Sequence, residues 1–538
     1  MEQEILTYCM QKGVLLDKRL LEIFANFENH NLLKNFLEII NFQFNPKILT
    51  LSFFVNNKEK ILKILLKYKQ SDKEELEKLL SKFGISSSYN PLINVEKNSE
   101  NLESSVILRK IYLNKPKKIN VSDFVKNFRS RFVSIKGLLQ DRPELENLVS
   151  INRIENNSSY SIIGLVFDKK ITKNDNILLE IEDLTGRISA LVTKNRQEVY
   201  EKAKEILLDE VIGLKVSGSR EIVFINDIFF PDIKLVEKKK SKKEELVAFS
   251  SDIHVGSDKF LERNFLKFIN WLNGEVGNAK QREEALKVKY LFITGDSVDG
   301  VGVYPGQETQ LVIKDVREQY KRLAELLSMI RKDVNIIVCP GQHDAVRVAE
   351  PQPIIGDFYG EALHKLENIY LVTNPALIEI SDVKFKVLMY HGASIHGIIN
   401  SIDSLRVNKA HNSPTSVVKY LLKKRHLAPT HSLVTYTPCE GEDSLFIHET
   451  PDIFLTGDLH RPEISEYNGV LLIASSCWQS ITPFEEKVGN NPDPCKVPIM
   501  NLKTREIKML DFSDSSEMDE NEIEDKLKKE EVKLENAN

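Results

Sequence analysis

The chemistry-bearing residues of this 538-residue chain gather in its second half, in five loops that each follow a short apolar run. The first loop, S-D-I-H, carries Asp252 and His254; side chains two positions apart at a strand end point the same way, so one carboxylate and one imidazole can meet one cation. The second, FITGDSVDG, releases Asp296 from its strand through a turn at Gly295, and a carboxylate there can bridge two metals. The third, CPGQHDAVR, offers Gln342, His343 and Asp344. An imidazole at this point can give a proton to a leaving alkoxide when a carboxylate such as Asp344 keeps it poised. The fourth, VLMYHGASIHG, gives His391, and the fifth, PDIFLTGDLHRPE, gives Asp458 and His460.

Mixed imidazole and carboxylate donors favour manganese, iron or zinc over a calcium-type cage. Two such ions about 3.5–4 Å apart clamp the attacking and leaving oxygens of an in-line phosphoryl displacement. One histidine or aspartate at a strand end is more often a structural hydrogen-bonding group than a ligand. Five in succession, in the order D-x-H, GD-x-x-D, G-x-HD, H-G and G-x-x-H, form a specific signal. Asp299 and Asp344 are read as carboxylates that orient imidazoles or loops.

The elements that must position these loops follow from the surrounding pattern. Stretches such as LVAFSSDIHVG, FLERNFLKFINWL, YLFITGD and VNIIVCPGQHD alternate buried strands with helices, the α/β signature in which reactive loops sit at strand ends. Residues 119–237 read as strands (SYSIIGLVFD, NILLEIEDLTGRISALVTK, EVIGLKVSGSREIVFINDIFF) with one interposed helix, NRQEVYEKAKEILL. That order suits a five-stranded OB-fold β-barrel with a tight hairpin at EDLTGR. Few aromatics stand at alternate strand positions, so the barrel is expected to face protein rather than stack bases.

Residues 1–85 read as a helical module, with a capping box at Ser71–Glu74, and 86–118 as a polar linker. The basic run EKKKSKKEE at 238–245 reads as an exposed linker, and 513–538 as an acidic disordered tail. The whole is multidomain α+β and α/β, ending in a phosphoesterase-like α/β sandwich at 246–512. That tail holds ten acidic residues against four lysines within a total net charge of −5, so the remaining body is near neutral. Near-neutrality argues against bulk electrostatic wrapping of nucleic acid and leaves room only for local basic patches. Five scattered cysteines without a CxxC pair fit neither a disulfide framework nor a zinc knuckle. Without a basic, apolar leader or an 18-residue apolar run, a cytoplasmic location with no membrane partner is expected.

The five motifs resemble the calcineurin-like metallophosphoesterase superfamily. VSDFVKNFRSRF, GQHDAVRVAEPQP, KRHLAPTH and SCWQSITPF extend the likeness over nearly the whole length to the small (exonuclease) subunits of archaeal D-family DNA polymerases. The resemblance implies two divalent ions, Mn2+ first, with Fe2+, Zn2+ or Mg2+ as alternatives. Asp252, His254, Asp296 and His460 would surround one, and Asp296, Gln342, His391 and Asp458 the other, with His343 as proton donor. It implies 3′-to-5′ hydrolysis of a DNA 3′ end, a large polymerising subunit docked on the barrel and phosphoesterase surfaces, and the sliding clamp and primase as further partners. Residues before Ile119 would be dispensable for that core. Two positions depart from the family pattern: Gln342 stands where asparagine is usual, and Asp458 where the first histidine of G-H-x-H is usual. The alternatives are a scaffold subunit without chemistry and a free-standing metallophosphatase.

Overall fold

The computed structural model describes residues 2–513 apart from 81–105 and 113–117, scattered positions between 26 and 78, and single positions at 157, 440 and 489. The expected linker at 86–105, the capping box at Ser71–Glu74 and the acidic tail beyond 513 fall wholly or partly outside the described residues. The chain divides into two compact units, residues 1–102 and 103–538.

In the first unit, helices α1 (Glu2–Gln11), α2 (Lys18–Ala25) and α3 (His30–Phe44) accompany a two-residue parallel pairing of β1 (Leu15–Leu16) with β2 (Ile48–Leu49). Apolar side chains at helical spacing, among them Leu20 and Phe24 on α2 and Leu33, Phe36 and Ile40 on α3, converge on one core with Phe54.

The second unit opens with β3 (Val106–Lys110), inside the stretch read as linker. Its SVILRK run is short and flanked by polar sequence, yet it pairs antiparallel with a sheet of the domain beyond the barrel, and Val106 is fully buried there. Helix α4 (Val121–Gln140) follows, its first turn closed by Asn120 and Asp123. It packs Phe132, Ile135 and Leu139 onto Ile163, Leu165 and Val211 of a closed barrel. The barrel strands are β4 (Ser158–Ile171), β5 (Ile177–Glu182), β6 (Arg187–Val192), β7 (Val211–Gly218) and β8 (Ile222–Phe229), paired in the order β4-β5-β6-β8-β7. The β5–β6 turn forms at EDLTGR, where one Asp183 oxygen accepts from the amides of Thr185 and Gly186. Helix α5 (Gln197–Lys204) packs on the barrel core, as its interposed position suggested.

The basic run at 238–245 is bound to the surface instead of standing free. Lys239 donates to the Asp452 carboxylate and the Lys384 carbonyl, both at 2.8 Å, and buried Ser241 donates to Asp382 at 2.7 Å. Acidic partners distant in sequence therefore turn a linker-like composition into a fixed strap.

Two six-stranded sheets build the remainder. One runs β12 (Ile369–Leu371), β11 (Asn335–Cys339), β10 (Val288–Thr294), β9 (Leu246–Ser250), β18 (Lys496–Asn501), β19 (Ile507–Asp511). The other runs β16 (Glu463–Tyr467), β17 (Val470–Ala474), β15 (Ile453–Thr456), β14 (Phe385–Met389), β13 (Ala376–Ile380), β3. Strand alternation assigns the faces. Val247, Phe249, Tyr290 and Phe292 meet Ile378, Val387, Met389 and Leu455 in a core shared by the two sheets. Leu246, Ala248, Leu291 and Ile293 turn outward to helices α6 (Glu262–Leu272) and α7 (Val316–Ser328). On the second sheet, Leu388 and Phe454 turn to helices α8 (Ile395–Ser401) and α9 (Pro414–Lys424). Mixed α/β architecture is thus observed, with β9, β10 and β11 parallel in one sheet and β14 and β15 parallel in the other.

Candidate metal centre

All five loops leave the carboxyl ends of these parallel strands, Asp252 and His254 after β9, Asp296 after β10, Gln342 and His343 after β11, His391 after β14, Asp458 and His460 after β15. Backbone approach is close enough to require glycine at two places. A Cβ on Gly295, whose φ is +83°, would lie 2.1 Å from His391 Nδ1, and a Cβ on Gly341 would lie 2.1 Å from Asp296 Oδ1. Asp252, His254, Asp296, Asp458 and His460 all adopt left-handed φ between 46° and 67°, a region that non-glycine residues seldom visit.

The side chains converge. His391 Nε2 lies 3.3 Å from Asp296 Oδ2, 3.8 Å from Asp458 Oδ1 and 4.0 Å from Asp252 Oδ1. His460 Nε2 lies 3.5 Å from Asp252 Oδ1 and 3.3 Å from His254 Nε2. Among the described residues three groups lie close enough to hold a divalent cation: one is His254 with Asp299 and His343, and the other two are Asp252 with His254 and His460, and Asp252 with Asp296 and His391. Asp252 belongs to both of the latter two, while the resemblance implies Asp252 at one ion and Asp296 at both. The Asp296 Oδ1 atom accepts the His343 amide at 2.8 Å, which turns that carboxylate toward the third loop.

The donor chemistry fits cations. His391 gives its Nδ1 hydrogen to the Thr294 carbonyl at 2.9 Å, which turns Nε2 toward the carboxylates. That atom, Gln342 Oε1 and Asp458 Oδ2 are buried without a hydrogen-bond partner among the described residues. Such atoms are costly unless a cation meets them. Gln342 and Asp458 do meet, the amide nitrogen donating to Asp458 Oδ1 at 3.1 Å.

Electrostatics follow from the crowding. Burial pushes the Asp252 and Asp296 carboxyls up, but His460 and His391 beside the former, and His391 and His343 beside the latter, outweigh it and hold both low. Burial pulls His343 down while Asp296 and Asp299 more than offset it, so its imidazole is held above the ordinary range. Asp344 points away from that imidazole. Its oxygens accept from the Gly341 and Ser297 amides and the Tyr320 hydroxyl, and burial beside Asp296 raises its carboxyl to about 6. The carboxylate that poises an imidazole is Asp299, 3.0 Å from His254 Nδ1, while its carbonyl takes the Nδ1 hydrogen of His343 at 2.8 Å.

Sequence reasoning missed Glu485. From helix α10 (Pro483–Val488) it brings Oε1 to 2.8 Å from His460 Nδ1, with Oε2 engaged by Thr482. The T-x-x-E spacing signals a capping box, but nothing local points it at His460. Gln307 and Gln479, which hold Asp299 at 2.9 and 3.2 Å, were likewise missed. Together these groups floor a cleft of about 890 Å³, whose walls include Tyr304, His396, Arg406, Lys409 and His411.

Comparison with known proteins agrees in one direction. Residues 247–465 match the family model for the B-type subunit of DNA polymerases alpha and epsilon. The DNA polymerase II small subunit of Methanothermobacter thermautotrophicus is 39% identical over 394 residues, 73% of this chain and 80% of that one. The corresponding subunit of Archaeoglobus fulgidus is 40% identical over 381 residues, 71% and 75%. That of Pyrococcus furiosus is 37% identical over 440 residues, 79% and 70%. Identity at this level across two thirds or more of each protein establishes kinship, and the chain belongs to the family of archaeal DNA polymerase II (D-family) small subunits.

Proposed function

We propose that this chain is a metal-dependent 3′-to-5′ exonuclease subunit, built from an OB-fold barrel and a calcineurin-like phosphoesterase domain, that also docks the large polymerising subunit of a replicative D-family polymerase. The observation that carries the proposal is the meeting of Asp252, His254, Asp296, His391, Asp458 and His460, with the orphaned donors His391 Nε2, Gln342 Oε1 and Asp458 Oδ2. Asp252, His254 and His460 would hold one divalent ion, and Asp252 or Asp296 with His391, Gln342 and Asp458 a second, manganese being the first candidate. Bound there, two ions supply charge neutralisation and an activated water for phosphodiester hydrolysis.

The chain's own groups account for the rest. Glu485 and the Thr294 carbonyl fix the ring orientations of His460 and His391. His343, tethered through Nδ1 to the Asp299 carbonyl, keeps Nε2 for giving a proton to the departing 3′ oxygen. Asp344 acts upstream of this by clamping the loop that carries Gln342 and His343. The large subunit, a DNA 3′ end, the sliding clamp and the primase are the proposed partners.

Purified protein should release nucleotides from mismatched 3′ ends when manganese is supplied, and His391→Ala should abolish release and lower bound metal. Release undiminished in His391→Ala would overturn the mechanism. A scaffold without chemistry is the second reading, favoured by the Gln342–Asp458 hydrogen bond, which ties two ligands to each other. Holoenzyme assembly with no transition metal by elemental analysis would support it.

A further inference from the structure

The segment after His391 does more than connect β14 to the next strand. Helix α8, a short helix at Asp403–Val407 and a 3-10 turn at Ala410–Asn412 carry His396, Arg406, Lys409 and His411 onto one wall of the cleft. In a body whose charge is close to balanced, four cationic or titratable side chains on one wall are a local feature.

The wall is also arranged. Arg406 is anchored by the Asn400 carbonyl at 2.9 Å and by the Asp403 carboxylate, which among the described residues leaves three of its five N–H donors uncommitted. Lys409 holds a left-handed φ of 52° and lines the same cleft. His396 links wall to floor, with Nε2 3.8 Å from Asp458 Oδ2 and its ring 5.3 Å from that of His411. The cleft, at about 890 Å³, lies near the top of the range of ~300–1,000 Å³ for whole-ligand pockets, far more than one phosphoryl group occupies.

We propose that this wall is a track for the phosphates of single-stranded DNA, with Arg406 and Lys409 each neutralising one phosphate of the chain whose terminal linkage lies on the His391 and His460 floor. The inference rests on reading that floor as a phosphodiesterase centre, and it deepens that reading by naming the residues that would hold the strand beyond its terminal linkage. Neutral donors on the same wall, Asn400 and Asn412, suit the backbone of any sequence.

The test is salt-dependent binding of a fluorescent single-stranded oligonucleotide to the full chain in EDTA, which removes hydrolysis from the readout. Arg406→Gln/Lys409→Gln should flatten the plot of log affinity against log salt by about 1.4, two contacts at ~0.7 each. Lys321→Gln/Lys365→Gln, which removes two exposed lysines off the cleft, should leave the slope unchanged. An unchanged slope in the first variant, an equal loss in the second, or no binding by the wild-type chain at low salt would each overturn the track. Hydrolysis with manganese is then scored separately. If the slope falls as expected but the wild-type chain releases no nucleotide, the track stands and the nuclease reading fails. If release proceeds in the first variant at the wild-type KM, the track fails and the nuclease reading stands.

Discussion

Arg131 is the side chain whose loss has the most calculable cost. It extends from α4 into the domain beyond the barrel, with only 2% of its side chain exposed, and its partner Asp443 is 1% exposed. Its Nε donates to Asp443 Oδ2 at 2.7 Å and a terminal nitrogen to the Pro429 carbonyl at 2.6 Å. His426 gives its Nε2 hydrogen to the same carboxylate at 2.9 Å while Nδ1 accepts from the Ala428 amide, so this imidazole is neutral and cannot replace the lost charge. Arg131→Met would therefore strand a buried carboxylate, which costs about 3–5 kcal/mol. At roughly 2 °C per kcal/mol for a protein of this size, the melting transition of the full chain should fall by about 6–10 °C. Arg131→Met/Asp443→Asn removes both charges and should recover more than half of that. Acid sharpens the comparison. Burial, then Arg131, holds His426 below its ordinary range. A depressed folded value gives stability that is present above about pH 6.5 and lost as pH falls toward the folded value. Without Arg131 that loss is shallower, so the deficit of the single variant should narrow between pH 7.5 and 5. A single-variant cost below about 1 kcal/mol, or a double variant no better than the single, would refute the account of this network.

Gly341→Ala should displace Asp296, since its Cβ would stand 2.1 Å from Oδ1 and 2.5 Å from the backbone nitrogen. Overpacking of this kind costs about 1–3 kcal/mol, and elemental analysis should show less bound manganese; full metal content would count against the geometry. Removal of residues 1–102 should leave the second unit's melting temperature within about 2 °C, whereas removal through 118 strips β3 from β13 and should lower it. With Val106 fully buried and Tyr112 nearly so, about 3–6 kcal/mol is at stake, and equal melting of the two truncations would contradict the pairing. Burial raises the Glu350 carboxyl to about 8, with Tyr390 only partly opposing it. Its contribution is then fully present below pH ~4.5 and lost as pH rises through 8, so Glu350→Gln should flatten the fall in melting temperature between pH 6 and 9. An identical fall in both proteins would exclude a protonated Glu350.

The five strand-end loops were legible because their chemistry needs particular side chains directly after apolar strands, and Asp252, Asp296, His391 and His460 indeed come together. Adjacency misled at the third loop, where Asp344 turns to Gly341, Ser297 and Tyr320 while His343 faces Asp299. Which neighbour an imidazole meets depends on backbone direction, and successive residues leave an extended chain on opposite sides. Glu485 was out of reach for a different reason: its contact with His460 spans twenty-five positions and depends on the loop after Trp478 folding back, an outcome no local pattern encodes. The strand β3 and the strap at 238–245 were obscured by composition, since their partners Ile378, Asp452 and Asp382 are supplied by distant segments.

Backbone conformation adds an argument that side-chain identity alone cannot supply. Asp252, His254, Asp296, Asp458 and His460 occupy left-handed φ, at a cost of roughly 1 kcal/mol each relative to glycine. Asp252 and Asp296 are buried with Asp458 near the same His391 nitrogen, so three carboxylates crowd one imidazole. Neither feature helps the chain fold: glycine or asparagine would relieve the strain, and neutral residues would relieve the repulsion. A purely scaffolding surface has no use for either cost. Divalent cations offset both at once, because they need charged donors held at fixed angles and they neutralise the carboxylates that burial otherwise penalises. Strain and like-charge crowding in the same loops therefore favour a cation-binding centre over a surface that only docks a partner.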